Sequence, residues 1–282
     1  MSSALRSTRP LRVATTRRYL MCPPRYFTVS YTINPWMDPS RLTDTTRAMQ
    51  QWNALVGTHR ALGHTVEMID PEPGLPDMVF AANAGTVLDG VVLGARFRNA
   101  ERAAEAAHYR RWFRAHGASD LVRPSAVNEG EGDLVWTGSL LLAGTGFRTE
   151  PAAHPEAQEL FGVPVVSLRL VDPYYYHLDT CLLVLDDSPS EPLIAYYPPA
   201  FSSGSRRVLA RLFPDAVLAG EVDAACLGLN GVSDGRSVVL PLEAVELGAA
   251  LTARGFEPVF VDVSELRLAG GGPKCCTLAL RA

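Results

Sequence analysis

Four stretches of the sequence carry side chains that could do chemistry. In GGGPKCCTLAL, Gly270, Gly271, Gly272 and Pro273 make an irregular turn ahead of Cys275 and Cys276. Successive residues of a strand point to opposite faces, so only one of the two sulfurs can face a given site. A turn that leaves the strand top open suits a thiol nucleophile, which needs a positive neighbour or a cationic substrate to favour its thiolate. A packed, inert pair of cysteines is the competing reading. In DPYYYHLDTCLLVL, His177 and Asp179 stand two apart at an expected strand start and would share a face, as an acid/base beside a carboxylate that could hold a cation. A histidine merely hydrogen-bonded to its neighbour fits equally.

The third stretch, NEGEGD, sets Glu129, Glu131 and Asp133 within five residues ahead of a strand. Acids this close raise one another's pKa unless a cation sits among them, although a solvated acidic turn has the same composition. The fourth is a pair of arginines after strands, Arg96 in ARFRNAER and Arg148 in GTGFRT. Their planar forks suit a substrate carboxylate, and a surface role is the alternative for each. Asn83, in VFAANAG, is expected in a first strand among small neighbours, and Asn230, in LGLNG, reads as a plain turn residue. Taken together, acids and an amide for a cation, a histidine for protons, a thiol and arginine forks match a ligand with a guanidinium at one end and an amino acid at the other.

A repeated module of roughly 40–50 residues would have to position these groups. Each copy reads as two short β-type runs around a tight turn, then a helix, then a further β-type run. One copy starts at Met78, with Asp89-Gly90 as its hairpin turn, and others start at Asp133, near Cys181 and near Ala225. The first part fits more loosely, with runs at Arg18–Met21 and YFTVSYTI before a helical stretch from Arg41. The last run, CCTLALR, has no helix of its own and could pair with the first module. Five modules closed in this way would make a ring with a central channel and protected strand edges. An open α/β sheet is the alternative.

The chain has 282 residues, 47% of them apolar and 20% charged, which excludes a disordered or fibrous class and allows a sizeable core. A formal charge of −4 argues against a nucleic-acid partner. No run of 18 apolar residues is present, so no membrane span is expected. Residues 1–37 hold six arginines and no acid, and residues 1–17 read as a flexible arm before a single domain over 18–282. Five cysteines without framework spacing point to a reducing compartment, hence the cytoplasm. No zinc-type cysteine or histidine spacing occurs, so no metal and no cofactor are expected.

The sequence resembles the guanidino-group-modifying enzymes, which include dimethylarginine dimethylaminohydrolases, arginine deiminases, amidinotransferases and arginine dihydrolases. The resemblance runs through YTINPWM, MVFAANAG, ARFRNAER, NEGEGD, GFRT, LVDPYYYHLDT and YYPPAF to GGGPKCCTLAL. It implies a five-bladed pseudosymmetric α/β propeller, the pentein fold, with the active site in the central channel. It implies Cys275 as nucleophile with Cys276 turned into packing, His177 as general acid/base, and Glu129 as its paired acid, with Glu131 at the variable position of E-G-x-G-D. Asp179, Asn83, Arg148, Arg96 and Asn34 fall at substrate-binding positions, with Arg148 the expected carboxylate clamp. Two features depart from parts of the family. H-L-D at His177–Asp179 resembles deiminases and amidinotransferases, and Asn83 stands where deiminases place a carboxylate, as in the dihydrolase branch. The implied activity is cysteine-dependent hydrolysis of arginine or Nω-methylated arginine. The alternatives are an arginine dihydrolase forming ornithine, an amidinotransferase and a non-catalytic arginine-binding protein. A small guanidino compound is the expected partner, and assembly into a homo-oligomer is compatible with the sequence.

Overall fold

The short apolar runs, each cut off by a turn residue, form five small sheets among the described residues instead of one wide sheet. The computed structural model describes residues 12–118 and 120–281. Every sheet has three strands and the same internal order: a central strand, an antiparallel partner on one side and a parallel partner on the other. In the second sheet Gly85–Leu88 pairs antiparallel with Val91–Gly94, which pairs parallel with Asp120–Val122 across the helical stretch Ala100–Ala115. Its hairpin turns at Asp89-Gly90, where φ is +49° and +76°, the left-handed pair that matches strand twist.

The third sheet joins Leu134–Trp136, Leu141–Thr145 and Val165–Arg169. Leu182–Asp186, Leu193–Tyr196 and Val217–Leu218 make the fourth. Val232–Ser233, Ser237–Pro241 and Glu257–Val261 make the fifth. The first sheet is assembled from both ends of the chain. Arg18–Met21 pairs parallel with Thr65–Met68 across the helix Thr45–Ala61, and antiparallel with Leu278–Ala279. The final run therefore closes onto the first module as its sequence suggested. YFTVSYTI does not: it forms no strand, because Leu278–Ala279 takes the place it would have filled.

Each three-stranded sheet shares its core with two neighbours. Leu20 and Leu278 pack with Val87, Val92 and Tyr109, joining the first and second sheets. Leu93 packs with Leu134 and Leu141, and Leu142 with Leu182 and Ile194. Leu183 and Ala195 pack with Val238 and Leu240. Val239 and Val261 then meet Tyr19, Met21 and Trp52, so the fifth sheet returns to the first. The cores run in a cycle, and truncating a fully buried member such as Leu93 or Leu141 to alanine should cost about 2–5 kcal/mol.

The N-terminal arm needs correction where it is described. Residues 1–11 lie outside the described residues, but 12–17 are fastened to the fourth and fifth sheets. Arg12 pairs with Asp186 at 3.2 Å and lies over the Phe256 ring, Thr15 N donates to Asp234 O, and Arg17 meets Asp187 at 2.6 Å. The arginines that look like a solvated charge run are countered by acids some 170 residues away in sequence. No helix among the described residues is long and apolar enough to cross a membrane.

Candidate active site

Each module enters its first strand through a tight turn, and these turns carry the candidate site side chains. Asn83 lies in the turn Ala81–Ala84, Glu131 in Gly130–Gly132 and Asp179 in Leu178–Thr180. Cys275 stands three residues before Leu278, and Asn230 two before Val232. The sequence predicts Asn83, His177, Asp179, Cys275 and Cys276 on or at the start of strands, and the structure differs. They lie in turns, so strand alternation does not decide which way they face. The glycines of E-G-E-G-D are required by close approach. A Cβ on Gly130, where φ is +57°, would sit 2.6 Å from the Gly85 backbone. One on Gly132 would sit 2.4 Å from Asn83 Nδ2 and 3.2 Å from the His177 ring.

Glu129 is fully buried and doubly engaged. Its Oε2 accepts from His177 Nε2 at 2.8 Å and from Arg148 Nη1 at 2.8 Å. Arg98 N donates to Oε1 at 3.1 Å. Burial alone would raise this carboxyl, but the Arg148 charge and the His177 hydrogen bond outweigh it and hold it well below its usual range. Because Glu129 stays ionised, it fixes the hydrogen of His177 on Nε2. Glu131 faces elsewhere: it accepts from Lys274 Nζ at 2.6 Å and Ala279 N at 3.0 Å, and pairs with Arg281. Of the two glutamates it is Glu129 that meets the histidine, while Glu131 anchors the closing strand.

Cys275 lies beside Asp179, Sγ 3.5 Å from Oδ2. Burial, the Asp179 charge and Cys276 push its thiol well above its ordinary value. Burial likewise raises Asp179, to about 6. Asp179 Oδ1 and His177 Nδ1 are buried and have no hydrogen-bond partner among the described residues. Cys276, fully buried in the core shared by the first and fifth sheets, is a packing residue. No cluster among the described residues could hold a metal ion.

The remaining candidates divide. Asn83 is brought in, but its Oδ1 accepts from Arg102 Nη1 at 2.7 Å. Arginine can only donate, so the amide orientation is fixed and Nδ2 points toward Glu129 O at 3.4 Å. Asn83 thus turns a donor inward, not the acceptor a guanidinium would want. Arg148, the expected carboxylate clamp, is buried on Glu129 with Nη2 donating to Ile33 O at 2.9 Å. Asn34 holds the cysteine loop by donating to Ala269 O, with its own Oδ1 taken by Trp36 N. Arg96 is not brought to the cluster: its guanidinium turns outward to Ser125 O. Arg98, two residues on in the same motif, is the arginine at the rim, with Nε donating to Arg148 O at 2.8 Å.

Sequence reasoning missed Arg98, and it misread Asn230. Far from a plain turn residue, Asn230 is fully buried, with Nδ2 3.2 Å from Cys275 Sγ. The module repeat was the signal that could have found it, since LGLNG holds in the fifth module the place that the other site-bearing turns hold in theirs.

The chain is 51% identical over 269 residues to an N(G),N(G)-dimethylarginine dimethylaminohydrolase of Mycobacterium tuberculosis, covering 95% of this chain and 87% of that one. It is 38% identical to the bifunctional arginine dihydrolase/ornithine cyclodeaminase ArgZ of Synechocystis, covering 93% of this chain but only 37% of that longer protein. The substrate-bound crystal structure of the N-terminal domain of ArgZ superposes with a TM-score of 0.88 at 36% identity, covering 94% of this chain and 98% of that domain. No family model matches the chain. At these identities and coverages the chain belongs to the dimethylarginine dimethylaminohydrolase and arginine dihydrolase family of guanidino-modifying hydrolases.

Proposed function

We propose that the protein hydrolyses the guanidinium group of arginine or an Nω-methylated arginine through a covalent Cys275 intermediate. The five modules would form a five-bladed α/β propeller of the pentein type, with this site in its central channel. The observation that carries the reading is the contrast in charge around the reacting groups. Glu129 is matched by Arg148, whereas Asp179, beside Cys275 in a buried niche, makes no ion pair among the described residues, and burial raises both groups. A guanidinium supplies that missing charge. Its arrival favours both the Asp179 carboxylate and the Cys275 thiolate by direct attraction.

In the reaction the Cys275 thiol loses its proton to His177 Nδ1 as the sulfur bonds to the guanidinium carbon, and the C–N bond to ammonia or alkylamine breaks as His177 passes that proton to the departing nitrogen. Water, losing a proton to His177, attacks the thiouronium carbon, and cleavage of the C–S bond releases citrulline and the thiol. Asp179 and Glu129 hold the positive charge through both steps. A substrate carboxylate would lie toward Arg98 and Arg148, sharing or replacing the contacts they make here. Five free thiols fit a cytoplasmic setting.

The Asn83 amide favours a second reading. A donor turned inward can hold a further water, and a second hydrolysis of citrulline would give ornithine, carbon dioxide and ammonia. The deciding experiment incubates the protein separately with arginine and with asymmetric dimethylarginine and identifies products by mass spectrometry. Citrulline supports the first reading and ornithine the second. Binding of arginine without turnover overturns both.

A further inference from the structure

We propose that Asn230 is the hydrogen-bond donor that orients and stabilises the Cys275 thiolate, an assignment that rests on Cys275 being the nucleophile. Asn230 Oδ1 accepts from Gly272 N at 2.9 Å and Cys275 N at 3.1 Å. Two backbone donors on one atom identify it as the oxygen, so the amide cannot be flipped. Nδ2 therefore points at Cys275 Sγ, 3.2 Å away, and its other contact is Asp179 O at 3.0 Å. The Asn230 backbone takes part as well, its carbonyl accepting from Lys274 N at 3.0 Å. One residue thus grips the loop 272–275 through three of its amides and the sulfur itself. The fit leaves no slack, for a Cβ on Gly272 would lie 2.8 Å from Asn230 Oδ1.

The donor matters because burial and the nearby Asp179 and Cys276 oppose the thiolate, with the Gly272 backbone and the Asn230 side chain on the other side of the balance. The titratable groups facing Cys275 are Asp179, Cys276 and Tyr176, none of which carries positive charge, and His177 and Lys274 act through Asp179. Asn230 Nδ2 is the side-chain donor that favours the ionised sulfur. It is placed to do so twice, before attack and again when the C–S bond breaks and the thiolate re-forms.

Asn230→Asp keeps an acceptor for Gly272 N and Cys275 N but turns an anionic oxygen toward Sγ. Asn230→Ser removes the donor without adding charge. The measurement is the pH dependence of Cys275 alkylation by iodoacetamide, with the modified residue mapped by mass spectrometry. The midpoint is expected to move up by about one pH unit or more in the Asp variant and by less in the Ser variant, with an about tenfold slower reaction at neutral pH. On a guanidino substrate, kcat should fall while KM stays within about twofold. Midpoints coinciding with wild type in both variants overturn the proposal, even if turnover falls, because a purely structural role would leave the thiol unchanged. The alkylation readout needs no turnover, so a protein inactive on guanidino compounds would sink the proposed function separately.

Discussion

Glu129 and Asp179 are both buried carboxylates beside the same histidine, yet their electrostatic settings are opposite. Glu129 has a cation at 2.8 Å, an imidazole at 2.8 Å and a backbone N–H, and is held well below the usual carboxylate range. Asp179 has a neutral thiol at 3.5 Å and one oxygen without a partner, and is raised to about 6. The first is a finished ion pair that belongs to the fold. The second lacks such a partner among the described residues, and in the proposed reaction the substrate guanidinium supplies it. The difference predicts that one carboxylate serves stability first and the other serves binding first.

The largest expected effect tests the thiol that Asp179 serves. Cys275→Ser should lower turnover by about 10⁴-fold or more, since single losses from a catalytic unit cost nearly as much as losing the unit. The same variant should melt close to wild type, a near-isosteric change in a fully built pocket. Turnover retained within tenfold, measured with substrate in excess, would sink covalent catalysis at this residue.

The next effect separates the two carboxylates directly. Glu129→Gln leaves the Arg148 guanidinium buried without its counter-ion, which should cost about 3–5 kcal/mol in urea unfolding. Asp179→Asn removes a buried charge that no cation matches, so its stability should equal or exceed wild type. The cost of losing Asp179 should appear as a tenfold or greater rise in KM for a guanidino substrate. Equal destabilisation by the two substitutions would break the comparison.

A third effect lies in the pH dependence. The folded-state pKa of Asp179, about 6, exceeds its reference of 3.8, so between these values the folded protein keeps a proton that the unfolded chain has lost. This group's contribution to stability is full below about pH 4 and is lost as pH rises through 6, by up to about 3 kcal/mol. That sign is opposite to the one a salt-bridged carboxylate such as Glu129 gives. Subtracting Asp179→Asn unfolding curves from wild type at several pH values isolates it, and a difference that is flat between pH 4 and 7 refutes it. Guanidinium binding should correspondingly weaken below pH 6 and release protons there.

The sequence displayed the reacting atoms more clearly than their surroundings, for a physical reason. Cys275, His177 and Glu129 stand out only together: each motif has an ordinary structural reading by itself, and their joint occurrence in the order of the resembled family is what marks them. Local pattern also gave the module order and the closing strand. It could not give partners far apart in the chain. Asn230 carries no charge and looks like any turn asparagine until Gly272 and Cys275 fold onto it. Arg12 and Arg17 look solvated until Asp186 and Asp187 arrive. The choice of Arg98 over Arg96 depends on where each guanidinium lands once the Arg96 backbone bridges to Asn128, on Ser125 O for Arg96 and on Arg148 O for Arg98, a tertiary fact.

The smallest expected effect concerns what the finished wall presents to the niche. Arg102, itself clamped by two hydrogen bonds to Glu105, holds Asn83 Oδ1 and so forces Nδ2 toward the reacting groups. Asn83→Asp would keep the Arg102 contact as an ion pair but replace the inward donor with a carboxylate oxygen. That extra acceptor should strengthen the hold on a guanidinium and weaken the hold on a water positioned for a second attack. With arginine as substrate, the product ratio should therefore move toward citrulline by a few fold, while the melting temperature changes little. Quantifying citrulline and ornithine at equal conversion checks this. A ratio identical to wild type would mean that the amide facing inward does not direct the second water, and that Asn83 belongs with Arg102 and Glu105 to the scaffold alone.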